Sequence, residues 1–238
     1  MCLLVLMTAT IGILQTGSAP EPLIREHGDF PAMFERLLGN LRPDLRFRVY
    51  RALDGELPDS PAECDAWLIT GSRHSVLDNS PWMTGLADFV RCTAQEAGRL
   101  AGICFGHQLV ASALGGQIGR AANGWSIGRQ TYEIDAPAGN VRFVALNAIH
   151  EDQVIELPDN ARVLGGSESC PYAIVEFNES ILTIQAHPEF DNAFLKALLR
   201  SRMAALVSKD QLERAIASLD GQPDSTRVAR MILDKLDL

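Results

Sequence analysis

The 238-residue sequence predicts an α/β fold, an open and mostly parallel sheet with helices on both faces. Three observations carry the prediction. Short apolar runs alternate with amphipathic segments through the first half, and strand patterns that alternate with helix patterns need crossover connections, hence parallel pairing. RLAGI at residues 99–103 lacks polar alternation after its Arg, as a strand covered on both faces does. Finally, 47% of the residues are hydrophobic and 21% charged, enough apolar surface for a substantial packed core.

The elements follow in order. TIGILQ, within Thr10–Gln15, is the first strand and runs into a loop rich in Gly, Ser and Pro. A helix follows over about residues 29–39, where Phe30, Met33, Phe34, Leu37 and Leu38 form one stripe, with Asp29 as N-cap, Pro31 in the first turn and Gly39 at the end. RFRVY and AWLIT are the next strands, the second leading into GSRHS. Ser80 and Pro81 open a helix to about Ala97, with Leu86, Phe89 and Val90 inward. RLAGI is the next strand, and GHQLVASAL is a helix closed by Gly115 and Gly116. The character then changes. QTYEI, VRFVAL, YAIVEF and ILTIQ are strand-like and extend the sheet or cover one end of it. A helix returns over about residues 192–206, and two shorter patterns, KDQLERAIASL and TRVARMILDKL, close the chain.

No internal repeat or linker divides the sequence, so residues 1–238 read as a single domain, with 1–9 a short N-terminal extension and 207–238 a helical tail. The opening MCLLVLMTATIGILQTGSA has the apolar length of a signal peptide but no Lys or Arg before Arg25. It is expected to be a buried first strand behind a short extension, with Met1 or Met7 as the start. No run reaches the roughly 20 apolar residues of a membrane span.

Net charge is -9, from 30 acidic against 21 basic residues, and no basic stripe is present. Nucleic acid and anionic membrane are therefore not expected as partners. Cys2, Cys64, Cys92, Cys104 and Cys170 are odd in number, widely spaced and free of any CxxC pair, which suits reduced thiols in a cytoplasm and neither a disulfide framework nor a zinc site.

GICFGHQ places Cys104 between Gly102 and Gly106, at a strand end and a helix start. A sharp strand-to-helix turn holds a nucleophile in a strained conformation, and its flanking residues must be small or the turn clashes. The sulfur then projects above the sheet edge at a helix N-terminus, where free N–H groups and the helix dipole favour a thiolate. The same turn aims the Phe105 N–H at the place where an oxyanion would form. Gly71 in ITGSRHS can bring a second N–H there. The alternatives are a buried core cysteine in a helix-packing turn and, for Gly71 and Ser72, a plain turn.

A thiolate needs a base, and the candidates are His27, His74, His107, His150 and His187. His107 lies beside the helix rather than over the sheet edge. His187 follows the strand ILTIQA and belongs to HPE, where Pro188 favours extended backbone and so puts His187 and Glu189 on one side. Glu189 can then hydrogen-bond the far nitrogen of His187 and fix its tautomer. An exposed loop histidine is the alternative for HPE taken alone.

With these motifs assembled, the sequence resembles the class I glutamine amidotransferases. The match runs in order through GILQTG, ITGSRHSV, GICFGHQLVASALGG, GWSIG, HEDQV and AHPEF and covers most of the chain. It is most similar to stand-alone members close to the glutaminase domain of GMP synthase, γ-glutamyl peptidases among them. The resemblance implies a flavodoxin-like sheet, Cys104 as nucleophile, His187 as base, Glu189 as its orienter, and the backbones of Gly71 and Phe105 as oxyanion donors. It also implies that Gln108 and HEDQV hold the amino-acid end of a glutamyl substrate, with Asp152 or Glu151 facing the α-ammonium; a polar loop entering a strand is the alternative for His150–Val154.

The expected reaction is hydrolysis of a γ-glutamyl amide, most simply glutamine to glutamate and ammonia, through a cysteinyl thioester and without metal or organic cofactor. Siblings carry or recruit a synthetase, and no room for one remains after Leu206, so the expected partners are the small-molecule substrate and, for an ammonia donor, a separate synthetase subunit. HEDQV also differs from the small-residue versions in some siblings, which leaves open what carries the γ-glutamyl group. The rivals are a γ-glutamyl peptidase acting on glutathione-like compounds, a non-catalytic binding protein on the same fold, and zinc held by Cys104 and histidines, for which the ligand spacing is missing.

Overall fold

Residue alternation along the first strand already shows how the sheet is buried: Ile11 and Ile13 pack into one core cluster and Leu14 into another. A computed structural model describes residues 8–134 and 142–238; the N-terminal extension up to Met7, with both candidate starts, and the first residue of VRFVAL lie outside them. The strands are β1 (Thr10–Leu14), β2 (Arg46–Tyr50), β3 (Ala66–Ile69), β4 (Leu100–Ile103), β5 (Gln117–Arg120), β6 (Ser126–Ile134), β7 (Arg142–His150), β8 (Asp152–Glu156), β9 (Ala161–Gly166), β10 (Ile174–Phe177) and β11 (Ile181–Ile184). The helices are α1 (Glu21–His27), α2 (Phe30–Gly39), α3 (Pro81–Gln95), α4 (Phe105–Ala113), α5 (Asn192–Arg202), α6 (Lys209–Ser218) and α7 (Ser225–Lys235).

Nine strands form one sheet in the order β2-β1-β3-β4-β11-β10-β9-β6-β7. The first five are parallel, and β10, β9, β6 and β7 then alternate in direction. The parallel part has the 2-1-3-4-5 order of flavodoxin-like sheets. Its fifth place is filled by β11, which arrives after six intervening strands.

Both faces are covered. On one, Ile11, Ile13, Leu68, Ala101, Ile103, Leu182 and Ile184 pack against Phe34 and Leu38 of α2 and Val228, Ala229, Ile232 and Leu233 of α7. On the other, Leu14, Trp67, Ile69, Leu100 and Ile181 meet Met83, Leu86, Phe89 and Val90 of α3 and Phe105, Leu109 and Val110 of α4. Each fully buried side chain of this kind contributes about 1.5–3 kcal/mol. Asp29 caps α2 through an oxygen that accepts from the Phe30 N–H at 2.8 Å.

The later strands extend the sheet, except that β5 and β8 form a separate antiparallel pair. Helix α5 stops at Arg202 rather than reaching residue 206. Residues 204–206 are all exposed, so they have no core to hold a further turn, and Ser208 already caps α6 through Gln211. Elements α1, β5, β8 and β9 were not expected. In α1 a single residue, Leu23, is buried, and β5 has no fully buried residue, so neither carries a periodic pattern.

The turn from β4 into α4 is closely packed against backbone. A Cβ on Gly102 would lie 2.7 Å from the Gly106 carbonyl oxygen, and one on Gly106 would lie 2.6 Å from the Ile69 carbonyl oxygen. Both obstacles are backbone and cannot swing aside. Gly106→Ala is therefore expected to lower the unfolding free energy by about 1–3 kcal/mol. Urea unfolding measures it, and a variant as stable as the parent would contradict the close approach.

Candidate active site

Backbone at the end of β4 sets the position of the sulfur. Cys104 has φ 52° and ψ -99°, outside the negative-φ regions a non-glycine residue ordinarily takes, and its N–H is tied to the Ile184 carbonyl at 2.8 Å. It is the N-cap of α4, so the sulfur sits where the first helical N–H groups have no intrahelical acceptor and where negative charge is favoured. Phe105 begins the helix, and its ring stacks on Trp82 at 5.4 Å.

Three strands end around it. Past β11, the chain runs through Gln185 and His187, both buried. The Gln185 amide approaches the Cys104 sulfur at 3.7 Å, and its oxygen accepts from Gln108 at 3.2 Å. His187 is fixed from four directions: its N–H donates to the Asn147 carbonyl at 2.8 Å, its Nδ1 meets Glu189 Oε1 at 2.7 Å, its ring lies flat on Phe190 with centroids 4.0 Å apart at 5°, and Gly71 faces its Cε1. A Cβ on Gly71 would lie 2.7 Å from His187 Cε1 and 3.7 Å from Cys104 Cβ, so glycine, imidazole and cysteine converge on one point.

The Gly71 peptide is also locked. Thr16 Oγ1 donates to the Thr70 carbonyl at 2.9 Å. In a trans peptide the following N–H, that of Gly71, must point the opposite way, away from Thr16.

Charge separates the histidines. Burial alone would push the His187 imidazolium down, but the Glu189 carboxylate, the Cys104 sulfur and hydrogen bonds to both raise its pKa to about 10. His107 and His150 are equally buried without such a carboxylate, and burial holds them down to about 3 and about 4, so both are neutral at pH 7. His107 points into the sheet, its Nδ1 2.7 Å from Thr183 Oγ1.

A cavity of about 220 Å³ opens over the sulfur, several times the roughly 30 Å³ share of one water. Cys104, Phe105, Gln108, Asp152 and His187 all line it, and Glu189 stands behind His187. His150 ends β7 and Asp152 starts β8, so HEDQV is a strand junction rather than a loop. Asp152 accepts from the Ser75 hydroxyl through Oδ2, its carbonyl accepts from Gln108 at 2.8 Å, and its Oδ1 is buried without a partner among the described residues. Glu151 also lines the cavity and is paired with Arg120.

Sequence reasoning missed Gln185, Asn147, Phe190, Arg73 and Arg202. For Gln185 a signal existed, because strand alternation places it on the side of His187 two residues later.

A family model described as glutamine amidotransferase class-I matches residues 63–201. The chain belongs to the class I glutamine amidotransferase family. It is 28% identical over 191 residues to γ-glutamyl peptidase 2 of Arabidopsis thaliana, covering 76% of this chain and 77% of that one. It is 30% identical over 190 residues to γ-glutamyl peptidase 3 of the same plant, covering 74% and 76%. Among solved structures, a glutamine amido transferase from Methylobacillus flagellatus superposes with a TM-score of 0.74 at 18% identity, over 97% of this chain and 94% of that one, a likeness of fold. Among the described residues, no helix is long and apolar enough to cross a membrane.

The His187 pKa has a sign that can be tested. A folded value near 10 against about 6.5 unfolded means that the stability this imidazolium contributes is fully present below about pH 6.5 and is lost as pH rises through about 10. Glu189→Gln removes the carboxylate that opposes burial, so the imidazole should titrate at or below neutral pH. NMR titration of the ring C–H signals reads both values, and an unchanged titration in the variant would refute the pairing.

Proposed function

We propose that this amidotransferase-family chain hydrolyses γ-glutamyl amides through a thioester on Cys104. What carries the reading is the convergence of a strained, buried cysteine at a helix N-terminus with an imidazole clamped to a buried carboxylate. The Cys104 thiolate attacks the side-chain carbonyl carbon, and negative charge moves onto the carbonyl oxygen. The N–H groups of Gly71 and Phe105 receive that oxyanion, and the hydrogen bond from Thr16 to the Thr70 carbonyl holds the Gly71 peptide in a fixed orientation.

His187 then gives its proton to the departing amine as the C–N bond breaks and leaves the γ-glutamyl thioester. Water, deprotonated by the same imidazole, attacks the thioester and releases glutamate, returning the proton to His187 and the thiolate to Cys104. Glu189 keeps Nδ1 protonated and stabilises the imidazolium without taking the proton itself. Asp152 Oδ1 is the acceptor for the substrate ammonium, with Gln108 beside it. The cytoplasm, with its reduced thiols, is the compartment this chemistry suits.

Whether the departing group is ammonia or an amino acid is a matter of the cavity beyond the sulfur. The relatives bearing the name γ-glutamyl peptidase favour the second form. An ammonia donor would instead call for a separate synthetase subunit.

Cys104→Ala is expected to abolish turnover of γ-glutamyl substrates by at least several hundredfold, and Gly71→Ala, whose methyl would push on a pinned imidazole, to reduce kcat by about 10²- to 10³-fold. Steady-state assays with glutamine and γ-glutamyl dipeptides check both, with circular dichroism as the control for folding. A Cys104→Ala protein that turns over at the parent rate would end the proposal.

A further inference from the structure

We infer that Arg73 and Arg202 together receive a carboxylate on the amine half of the substrate, so that the cavity is built for γ-glutamyl amino acids or peptides rather than for the primary amide. The inference rests on the hydrolase reading above and adds to it the identity of the leaving group.

Both arginines line the cavity over Cys104. Arg202, half-buried, is held below the ordinary guanidinium value first by burial and then by the charge of Arg73, which is itself exposed at the rim. A half-buried guanidinium beside a second one is unfavourable unless an anion lies against it. The neighbouring Arg120 has one in Glu151. Among the described residues, neither Arg73 nor Arg202 has a carboxylate partner, in a chain that carries 30 acidic residues against 21 basic ones.

The placement says which part of a substrate they would meet. His187 hands its proton to the departing amine, so the amine half lies on the His187 side. From there the wall continues through Phe190, on which the imidazole is stacked, to Leu198 and Arg202, four residues apart on one stripe of α5. Asp152, hydrogen-bonded to Ser75 and Gln108, is where the ammonium of the γ-glutamyl half is expected. A γ-glutamyl dipeptide carries an ammonium and the α-carboxylate at its glutamyl end and a second carboxylate at the other, so it can supply a charge to both places. Glutamine has no charge on its amide side. The planar guanidinium suits the second charge because it can bind carboxylate through two parallel hydrogen bonds.

The test compares γ-glutamylglycine with γ-glutamylethylamide, which offers the same type of amide without the carboxylate. The parent should favour the glycine compound by about 10-fold or more in kcat/KM. In Arg202→Gln and Arg73→Gln that ratio should fall toward one, with Arg202→Lys keeping part of it. A parent ratio near one, or variants that keep the parent ratio, would overturn the inference. So would variants that lose both compounds equally, since the arginines would then be holding the α-carboxylate. Binding separates this from failure of the hydrolase reading. Should neither compound be turned over, calorimetry with Cys104→Ala still decides: tighter binding of γ-glutamylglycine, lost when Arg202→Gln is added, supports the carboxylate site, and equal binding of the two overturns it.

Discussion

The approach of the α4 N-terminus to the backbone of β3 is the constraint on which the rest of the site depends. Gly106 lies against the Ile69 carbonyl and Gly102 against Gly106 itself, so β4 can turn into a helix within one residue. That residue is Cys104, whose positive φ is a strain of order 1–3 kcal/mol. The strain is held by the hydrogen bond to Ile184 and by two apolar layers on either side of the sheet. A wider turn would move the sulfur off the helix axis and away from Gly71 and His187 at once. Stability of the sheet and geometry of the site are thus one requirement at this point.

The environment, rather than the residue type, assigns the histidines their parts. His107, His150 and His187 are all buried, and burial disfavours the cation in each. A carboxylate 2.7 Å away reverses the outcome at His187. The two neutral imidazoles are then structural: one bonds Thr183 within the sheet, and the other bonds the Asp152 carbonyl at 3.2 Å, helping to shape the junction between β7 and β8.

The parts of the site legible in the sequence are those with local steric demands. Gly102 records a contact closed four residues on, against Gly106, and HPE records a local pairing, although Pro188 and Glu189 form a turn rather than the expected extended backbone and it is the turn that brings Glu189 to His187 Nδ1 at 2.7 Å. The amphipathic stripes of α2, α3 and α5 were equally readable because one-sided burial imposes a period, and the apolar runs of β1, β3, β4 and β11 because burial on both faces removes polar residues. What escaped depends on distant parts of the chain. Gln185 acts on Cys104 across 81 positions, and Asn147 holds the His187 turn through Phe190 and Asn192 from 43 and 45 positions away. Arg202 lies at the end of a helix whose pattern explains its leucines but says nothing of the cavity. The β5 and β8 pair is short and partly exposed, with a register shift that removes clean alternation.

The inner and outer parts of the cavity also answer different chemical demands. In the proposed reaction thiolate, imidazolium and oxyanion donors would act on an amide carbonyl and its nitrogen, and these atoms are the same in glutamine and in a γ-glutamyl peptide, so the inner site would not choose between them by itself. Discrimination has to come from groups that one substrate satisfies and the other leaves unpaired, which is where buried or half-buried charge is most selective. On the β8 wall Asp152 offers a buried carboxylate oxygen, and elsewhere on the cavity Arg202 at the end of α5 is joined by the exposed Arg73 of the loop after β3; among the described residues that oxygen has no partner and neither arginine has a carboxylate. A ligand charged at one end leaves one of these places uncompensated. In the proposed binding mode a γ-glutamyl peptide, with its ammonium at Asp152 and the carboxylate of its amine half at the arginines, compensates both and sets its scissile amide beneath His187.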